Sequence, residues 1–204
     1  FRLLEELKAV GTMKELLEIS SGSWAGYTIG EHTLMVMTQF EKYFSQHSLP
    51  SSFNKDAFLK ILLVHDFGKA KAVAEGDKNK QHEYNLEVCP EVLKKQGLTE
   101  EEINVARALL SGDALGQYIG SRNKNIEETI AAIQKASKVS SMDINDFLDL
   151  LMVYYQCDAG AYTKDATIEG IVEGKESIDR YFDFDPKQGQ MKFSPEVAEK
   201  VYLL

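Results

Sequence analysis

Several features that would restrict the fold or its environment are scarce in this sequence of 204 residues. Only two cysteines occur, far apart, and they form neither a disulfide framework nor a Cys-x-x-Cys zinc motif. Cys89 and Cys157 both lie in apolar helical patterns, so we expect buried, reduced thiols and, by default, a cytoplasmic protein. No apolar run approaches the ~20 residues that a membrane-spanning helix needs. The sequence therefore argues against an integral membrane protein.

Basic residues are also in the minority. The chain has 23 Lys and Arg against 32 Asp and Glu, which gives a formal net charge of -9. Such an acidic chain is a poor partner for a long nucleic acid or for an anionic membrane surface. A small phosphorylated substrate in a locally positive pocket stays compatible with this charge, and the composition leaves homo-oligomerisation open.

Proline is rare as well, with four residues, and long stretches repeat their apolar residues every 3.6 positions. This periodicity predicts a mostly α-helical fold. The predicted helices cover residues 2–19 (with a break near Gly11), 30–46, 54–65, 81–96 (with a bend at Pro90), 99–110, 125–138 and 143–161. We expect a polar loop over residues 70–80 and an irregular segment or a short helix over 112–122.

The character of the chain changes after about residue 165. Apolar residues alternate around a Pro/Gly turn over residues 181–193, which predicts a short β-hairpin. Ser194-Pro195 is typical of a helix start and predicts a terminal helix. This tail is too short to fold alone. We therefore predict a helical domain over residues 1–165 and a C-terminal α/β extension over residues 166–204 that packs on it.

The pair His65-Asp66 is the first candidate for chemistry. It ends an apolar run, and Phe67-Gly68-Lys69 follows it. Burying an ionised carboxylate costs several kcal/mol unless a cation or strong hydrogen-bond donors neutralise it. Imidazole and carboxylate are good ligands for a divalent metal, so a metal site is one interpretation. The other is an ordinary helix C-terminus, with His65 in the last turn and Gly68 near the C′ position.

Two further residues fit the metal interpretation. His32 lies within the predicted second helix, beside its apolar stripe. Asp158 lies late in an apolar helix, among Tyr154 and Tyr155, where an unpaired carboxylate would be poorly placed. Two histidines and two aspartates on three helices could meet at one ion in the core of a bundle.

The order His, His-Asp, Asp on successive helices resembles the HD-domain phosphohydrolase superfamily. The resemblance covers roughly residues 25–165 and is most specific in Val-His-Asp-Phe-Gly-Lys at 64–69. Positions 32 and 65 are 33 residues apart, and positions 66 and 158 are 92 apart, which is compatible with that family. The resemblance implies an HD-like helical bundle in which the metal ligands are His32, His65, Asp66 and Asp158.

The resemblance also implies an activity: metal-dependent hydrolysis of a small phosphate ester, such as a nucleotide or related phosphomonoester or phosphodiester. The ligand atoms suit Mn, Mg, Co, Ni, Fe or Zn, and no thiolate narrows the choice. Asp66 would orient or deprotonate the metal-bound water. Lys69 would meet the substrate phosphate, although a solvated lysine is an equal alternative. His82 would also contact the phosphate; its alternative is a surface histidine at a helix start.

The chain departs from the two-metal members of this family, which carry more histidines between His-Asp and the last Asp. Here Leu-Ser-Gly-Asp stands at 110–113. Asp113 could replace a lost histidine, but a loop carboxylate is more often solvated. We therefore expect one metal ion.

The small number of histidines between Asp66 and Asp158 also supports an alternative function, a non-catalytic regulatory or ligand-binding HD-type module that retains a metal. An iron-dependent oxidative enzyme ranks last, since such relatives usually carry the fuller histidine set.

Other polar and aromatic residues are weaker candidates for a functional role. Arg107 and Arg122 could contact phosphate through their guanidinium forks, but a surface position is the favoured interpretation. His47 follows a predicted helix end, where a histidine is typical, and we interpret it as structural. Trp24 and Tyr27 precede the helix of His32 and are expected to anchor the core or the surface, with a pocket wall as the alternative.

Overall fold

The computed structural model describes residues 11–22, 26–120, 125–166 and 178–204, with side chains from residue 14 onward. The helices are α1 Gly11–Glu18, α2 Ile29–Tyr43, α3 Lys55–Val64, α4 Phe67–Ala74, α5 Gln81–Lys95, α6 Glu100–Leu110, α7 Ala114–Ile119, α8 Ile126–Ser140, α9 Ile144–Gly160 and α10 Pro195–Tyr202. Between α9 and α10, strands β1 Phe182–Asp185 and β2 Gln190–Phe193 pair antiparallel. The predicted mostly α fold with a C-terminal hairpin and terminal helix is confirmed.

Side-chain caps explain where the main helices begin. Asn54, Asn125 and Asp143 each accept hydrogen bonds from backbone N–H groups in the first turn of α3, α8 and α9. Thr28 and Thr99 start α2 and α6 with complete capping boxes. A cap of this kind is typically worth about 1 kcal/mol. The cap residues therefore fix the N-terminal ends of the helices that carry the core.

The core lies between α2, α3 and α9, which places the candidate site at its edge. Phe40 of α2, Phe58 of α3 and Phe147 of α9 are almost fully buried in one apolar cluster. Helix α2 packs against both α3 and α9, and α5 packs against α3 and α4. Among the described residues, no helix combines the length and apolar character that crossing a membrane requires.

The predicted loop over residues 70–80 is wrong in its first half. The chain turns at His65 and Asp66 and immediately starts α4, and residues 78–80 form a 3₁₀ turn. Alanines and a lysine favour helix in this segment. Phe67 and Ala72 are buried where α4 packs along α5, and that tertiary packing decides the conformation. His65 and Asp66 therefore lie at a tight junction between two helices.

The predicted bend at Pro90 is also wrong, because α5 continues through it. Proline removes one helix hydrogen bond, here the one to the carbonyl of Leu86. Leu86 lies on the exposed side of the helix, whereas Cys89, Pro90 and Leu93 are buried. Packing on both sides of Pro90 thus holds the helix together despite the missing bond.

The C-terminal extension packs on the helical body. The hairpin register pairs Phe182 with Phe193, and Phe182 and Met191 enter a small apolar cluster with Tyr155 of α9. The Gln156 side chain donates to the Met191 carbonyl at 3.1 Å. Residues 112–122 contain the short helix α7, which also contributes to this cluster.

Candidate metal centre

The His65-Asp66 junction is held from the side by α5. The last carbonyls of α3 have no partners within their own helix. The Asn85 side chain donates to the His65 carbonyl at 2.6 Å and accepts from the Gly68 N–H at 2.7 Å. Cys89 Sγ donates to the Val64 carbonyl at 3.2 Å. These contacts supply hydrogen-bond partners for backbone groups on both sides of Asp66. They thereby fix the direction of its side chain.

Gly68 permits this close approach. It lies inside α4 without a positive φ, so the interpretation of Gly68 as a C′ residue is wrong. A Cβ on Gly68 would lie 2.4 Å from Asn85 N and 2.5 Å from the Gln81 carbonyl oxygen. Both neighbours are α5 backbone, which cannot rotate away. Glycine is required here for helix-to-helix contact.

The four predicted ligands come together at the inner end of this junction. His32 Nε2 lies 2.8 Å from Asp158 Oδ1 and 3.5 Å from Asp66 Oδ2. His65 Nε2 lies 3.5 Å from each of the same two oxygens. His32, His65 and Asp66 form a buried group whose ligand atoms all lie within 4.8 Å of one another. Three helices thus deliver two imidazoles and two carboxylates to one point.

The hydrogen bonding of His65 tests whether a metal fits. Its Nδ1 lies 2.6 Å from the Leu62 carbonyl, which can only accept, so Nδ1 carries the proton. In the neutral imidazole, Nε2 then presents a lone pair, and within the described residues this buried atom has no hydrogen-bond partner. It faces two carboxylate oxygens. Ligands about 2.1 Å from one ion lie roughly 3.0–3.4 Å apart, close to the separations here. The donor set therefore fits a divalent cation.

His32 is oriented by stacking. Its ring is fully buried and stacks on Tyr162 with centroids 4.6 Å apart, and Tyr162 in turn lies 6.2 Å from the Tyr27 ring. Tyr27 is buried, as expected for an anchoring residue. The sequence does not single out Tyr162, because its position two residues beyond α9 gives no periodic pattern. The stack holds His32 Nε2 toward the carboxylates.

The site keeps both carboxylates ionised. Burial alone would raise the pKa of Asp158, but the hydrogen bond from His32 and the nearby His65 imidazole hold it well below its usual range. Burial likewise opposes ionisation of Asp66, but the imidazole of His65, when it is protonated, and the ammonium of Lys69 outweigh it and lower the pKa. Burial lowers the pKa of His32. These carboxylates provide the negative charge that a cation requires.

Lys69 lies closer to Asp66 than the sequence indicated. Its Nζ is 2.6 Å from Asp66 Oδ2, and its side chain is 15% exposed. Burial would lower the pKa of this ammonium, but Asp66 and the neighbouring Tyr162 and Asp158 raise it above its usual value. The ammonium is therefore charged and in contact with the same oxygen that faces both histidines.

His82 is neutral in this structure. Its Nδ1 donates to the Leu110 carbonyl at 3.3 Å, and Gln81 donates to its Nε2 at 3.2 Å. Burial lowers its pKa. This arrangement suits a hydrogen-bonding group and not a positive charge beside a phosphate. Asp113 caps α7 by accepting from the Gly116 N–H at 3.1 Å.

A cavity of about 320 Å³ opens onto three residues of the cluster, His65, Asp66 and Asp158. Its polar wall includes Lys69 and His82 as well as the carboxylates of Asp66 and Asp158. Four tyrosines, at positions 154, 155, 162 and 181, also line the cavity. Such a volume lies at the lower end of the range for small-molecule sites. The cavity has room for a small ligand beside the candidate metal centre.

The remaining predicted residues lie away from this cavity or outside the described residues. Arg107 pairs with Glu100 at 2.7 Å and with Asn104 at 2.8 Å, in agreement with a surface interpretation. His47 is exposed after α2. Trp24 and Arg122 fall outside the described residues.

Asn85→Leu should weaken divalent metal binding by about 10- to 100-fold, the usual effect of losing an outer partner of a metal site. The substitution leaves the His65 carbonyl and the Gly68 N–H without their partner and loosens the junction. Titration calorimetry with Mn²⁺ measures the affinity. Asn145→Leu, at the exposed start of α9, is the control. An affinity within twofold of the parent protein for Asn85→Leu would contradict the positioning role.

Comparisons of the chain with protein-family models, with curated proteins and with solved structures found no match. The relationship to the HD-domain superfamily therefore stays a prediction from the motifs.

Proposed function

We propose that this chain is a metal-dependent phosphohydrolase acting on a small phosphate ester, such as a nucleotide or a related phosphomonoester or phosphodiester. One observation carries the proposal: a buried imidazole lone pair on His65 faces two ionised carboxylates beside a cavity that also contains an ammonium group. Strongly perturbed groups that converge in a cavity are typical of functional sites. The resemblance of the His, His-Asp, Asp order to the HD-domain superfamily adds support for hydrolysis.

One divalent ion would be held by His32, His65, Asp66 and Asp158. Nitrogen and oxygen ligands without thiolate suit Mn, Mg, Co, Ni, Fe or Zn. Such an ion supplies a water of lowered pKa and polarises a phosphoryl oxygen. The outer contacts support this assignment, since His65 donates to the Leu62 carbonyl at 2.6 Å, as metal-binding histidines usually do.

The protein side chains have separate tasks in this mechanism. Asp66, ionised and buried, orients the attacking water or accepts its proton. Lys69 stabilises charge on the phosphoryl oxygens. His82, neutral and at the cavity wall, accepts a hydrogen bond at Nε2 from a hydroxyl or amino group of the substrate in place of Gln81. The tyrosines that line the cavity would pack against the organic part of the ester and exclude water.

The test is a panel of nucleotides and simple phosphate esters incubated with Mn²⁺, Co²⁺, Mg²⁺ or Ni²⁺. We expect hydrolysis that a chelator removes and the added metal restores. Elemental analysis of Asp158→Ala should show loss of the bound metal. Because Asp158 is far from His65 in sequence, this loss would tie both ends of the site to one ion. Full activity in the chelated protein would overturn the proposal.

A non-catalytic HD-type module is the second candidate, and one contact favours it. Lys69 neutralises Asp66 at 2.6 Å without any metal, so the site is electrostatically tolerable when empty. Metal or nucleotide binding with no hydrolysis across the same panel would support this alternative.

A further inference from the structure

Three nitrogen atoms converge on one oxygen atom of Asp66. Lys69 Nζ lies 2.6 Å from Oδ2, and His32 Nε2 and His65 Nε2 each lie 3.5 Å from it. The Asp66 side chain is 6% exposed. The lysine and a metal held by the histidines would therefore share one buried oxygen.

The charges at the site differ with and without a metal. With both histidines neutral, as metal ligation requires, the carboxylates of Asp66 and Asp158 against the ammonium of Lys69 leave one net negative charge. A divalent ion changes this to one net positive charge. In a site of low exposure such charges interact far more strongly than in water. Two cations on the same oxygen, about 2.1 and 2.6 Å away, cannot be more than roughly 4.7 Å apart.

We propose that Lys69 is a resident counter-cation that competes with the divalent metal for Asp66, and that metal binding displaces its ammonium into the cavity to meet a phosphate. The inference rests on the metal site of the proposed function. It assigns Lys69 a role in the metal-free protein that a simple phosphate contact does not include.

The structure provides the route for this displacement. Lys69 already lines the cavity, and its four-carbon stem is flexible enough to move the ammonium while the α4 backbone stays in place. Once a metal neutralises Asp66, the ammonium loses most of its attraction to that carboxylate. Metal binding should then strengthen phosphate binding, and phosphate should strengthen metal binding by the same factor, because such coupling is reciprocal.

An alternative role for Lys69 predicts the opposite sign. If Lys69 only holds Asp66 in the orientation that the metal needs, its removal should weaken metal binding. If it competes with the metal, its removal should tighten metal binding. The sign of one measured change separates the two roles, and it does not depend on catalytic activity.

The first experiment is titration of the metal-free protein with Mn²⁺ alone, without phosphate. Lys69→Met should bind Mn²⁺ at least tenfold more tightly than the parent protein. Lys71→Met is the matched control, since Lys71 lies on the same helix, is 46% exposed and pairs with Glu87 away from the site. We expect it to stay within twofold. Circular dichroism checks that both variants keep their helical content. Equal or weaker Mn²⁺ binding by Lys69→Met overturns the inference.

The second experiment repeats the titration in the presence of inorganic phosphate. Phosphate should raise the Mn²⁺ affinity of the parent protein, and this gain should shrink at least fivefold in Lys69→Met. An undiminished gain overturns the coupling through Lys69. The two levels of failure are distinguishable: if neither protein binds Mn²⁺, the proposed metal site fails, whereas binding without the Lys69 effect removes only this inference.

Discussion

Replacing Asp66 with Asn is expected to abolish divalent metal binding and to lower kcat/KM for phosphate ester hydrolysis by about a thousandfold or more. The amide has nearly the same shape, but it lacks the charge that both the metal and Lys69 require. A bound metal contributes several kcal/mol of transition-state stabilisation, and about 4 kcal/mol corresponds to a thousandfold in rate. Calorimetry with Mn²⁺ and steady-state kinetics measure the two effects.

The same substitution also affects stability, and a double variant separates the two consequences. Asp66→Asn leaves the Lys69 ammonium, 15% exposed, without its carboxylate. Breaking a buried pair this way costs about 3–5 kcal/mol, less where the lysine reaches the cavity. Asp66→Asn combined with Lys69→Met removes both charges and should recover most of this stability without recovering metal binding.

The exposed carboxylate of Asp183 on β1 provides the control. Asp183→Asn changes the net charge by the same amount and should leave Mn²⁺ affinity, kcat/KM and the unfolding free energy near the parent values. Metal binding that survives in Asp66→Asn with unchanged affinity would remove Asp66 from the ligand set.

The convergence of the four ligands was predictable because each of them lies in a local sequence pattern that indicates a buried polar group. His32 and Asp158 lie on helices with clear 3.6-residue periodicity, and a His-Asp pair ending an apolar run requires a neutralising partner. The motif order then placed them at one site. The structure confirms the convergence, while their role as metal ligands stays a prediction.

The surroundings of the site were not predictable in the same way. Helix α4 was not predicted because its eight residues are too few to show a clear periodicity before the polar run at 75–80, and its conformation depends on packing against α5. The clamp by Asn85 and the stacking of Tyr162 on His32 are also long-range contacts. One local signal existed: a glycine within helix-forming residues often marks a close approach of two backbones.

That glycine leads to the second large effect. Gly68→Ala is expected to lower the free energy of unfolding by about 3–5 kcal/mol. The new Cβ would lie 2.4 Å from Asn85 N and 2.5 Å from the Gln81 carbonyl oxygen, so α4 and α5 must separate. Overpacking typically costs about 1–3 kcal/mol. Separation would also stretch the hydrogen bonds of Asn85 to His65 and Gly68, and each unsatisfied buried group adds about 1–3 kcal/mol.

Gly112→Ala is the matched control for this experiment. Gly112 does not have a positive φ, and a Cβ there would meet no atom within 4 Å. The control should stay within about 1 kcal/mol of the parent protein, and a small gain is expected from the stiffer unfolded chain. Urea unfolding followed by circular dichroism measures both variants. A loss below 1 kcal/mol for Gly68→Ala would show that α4 and α5 can adjust without strain.

Gly68→Ala should weaken metal binding together with stability, because the displaced junction carries both His65 and Asp66. A ligand that binds only the folded protein stabilises it in proportion to the logarithm of its concentration over its dissociation constant. Mn²⁺ should therefore raise the unfolding midpoint of the parent protein and of Gly112→Ala alike, but raise that of Gly68→Ala much less. An equal rise in all three would mean that the ion binds away from the α3–α4 junction, and it would separate the metal site from the packing that Gly68 permits.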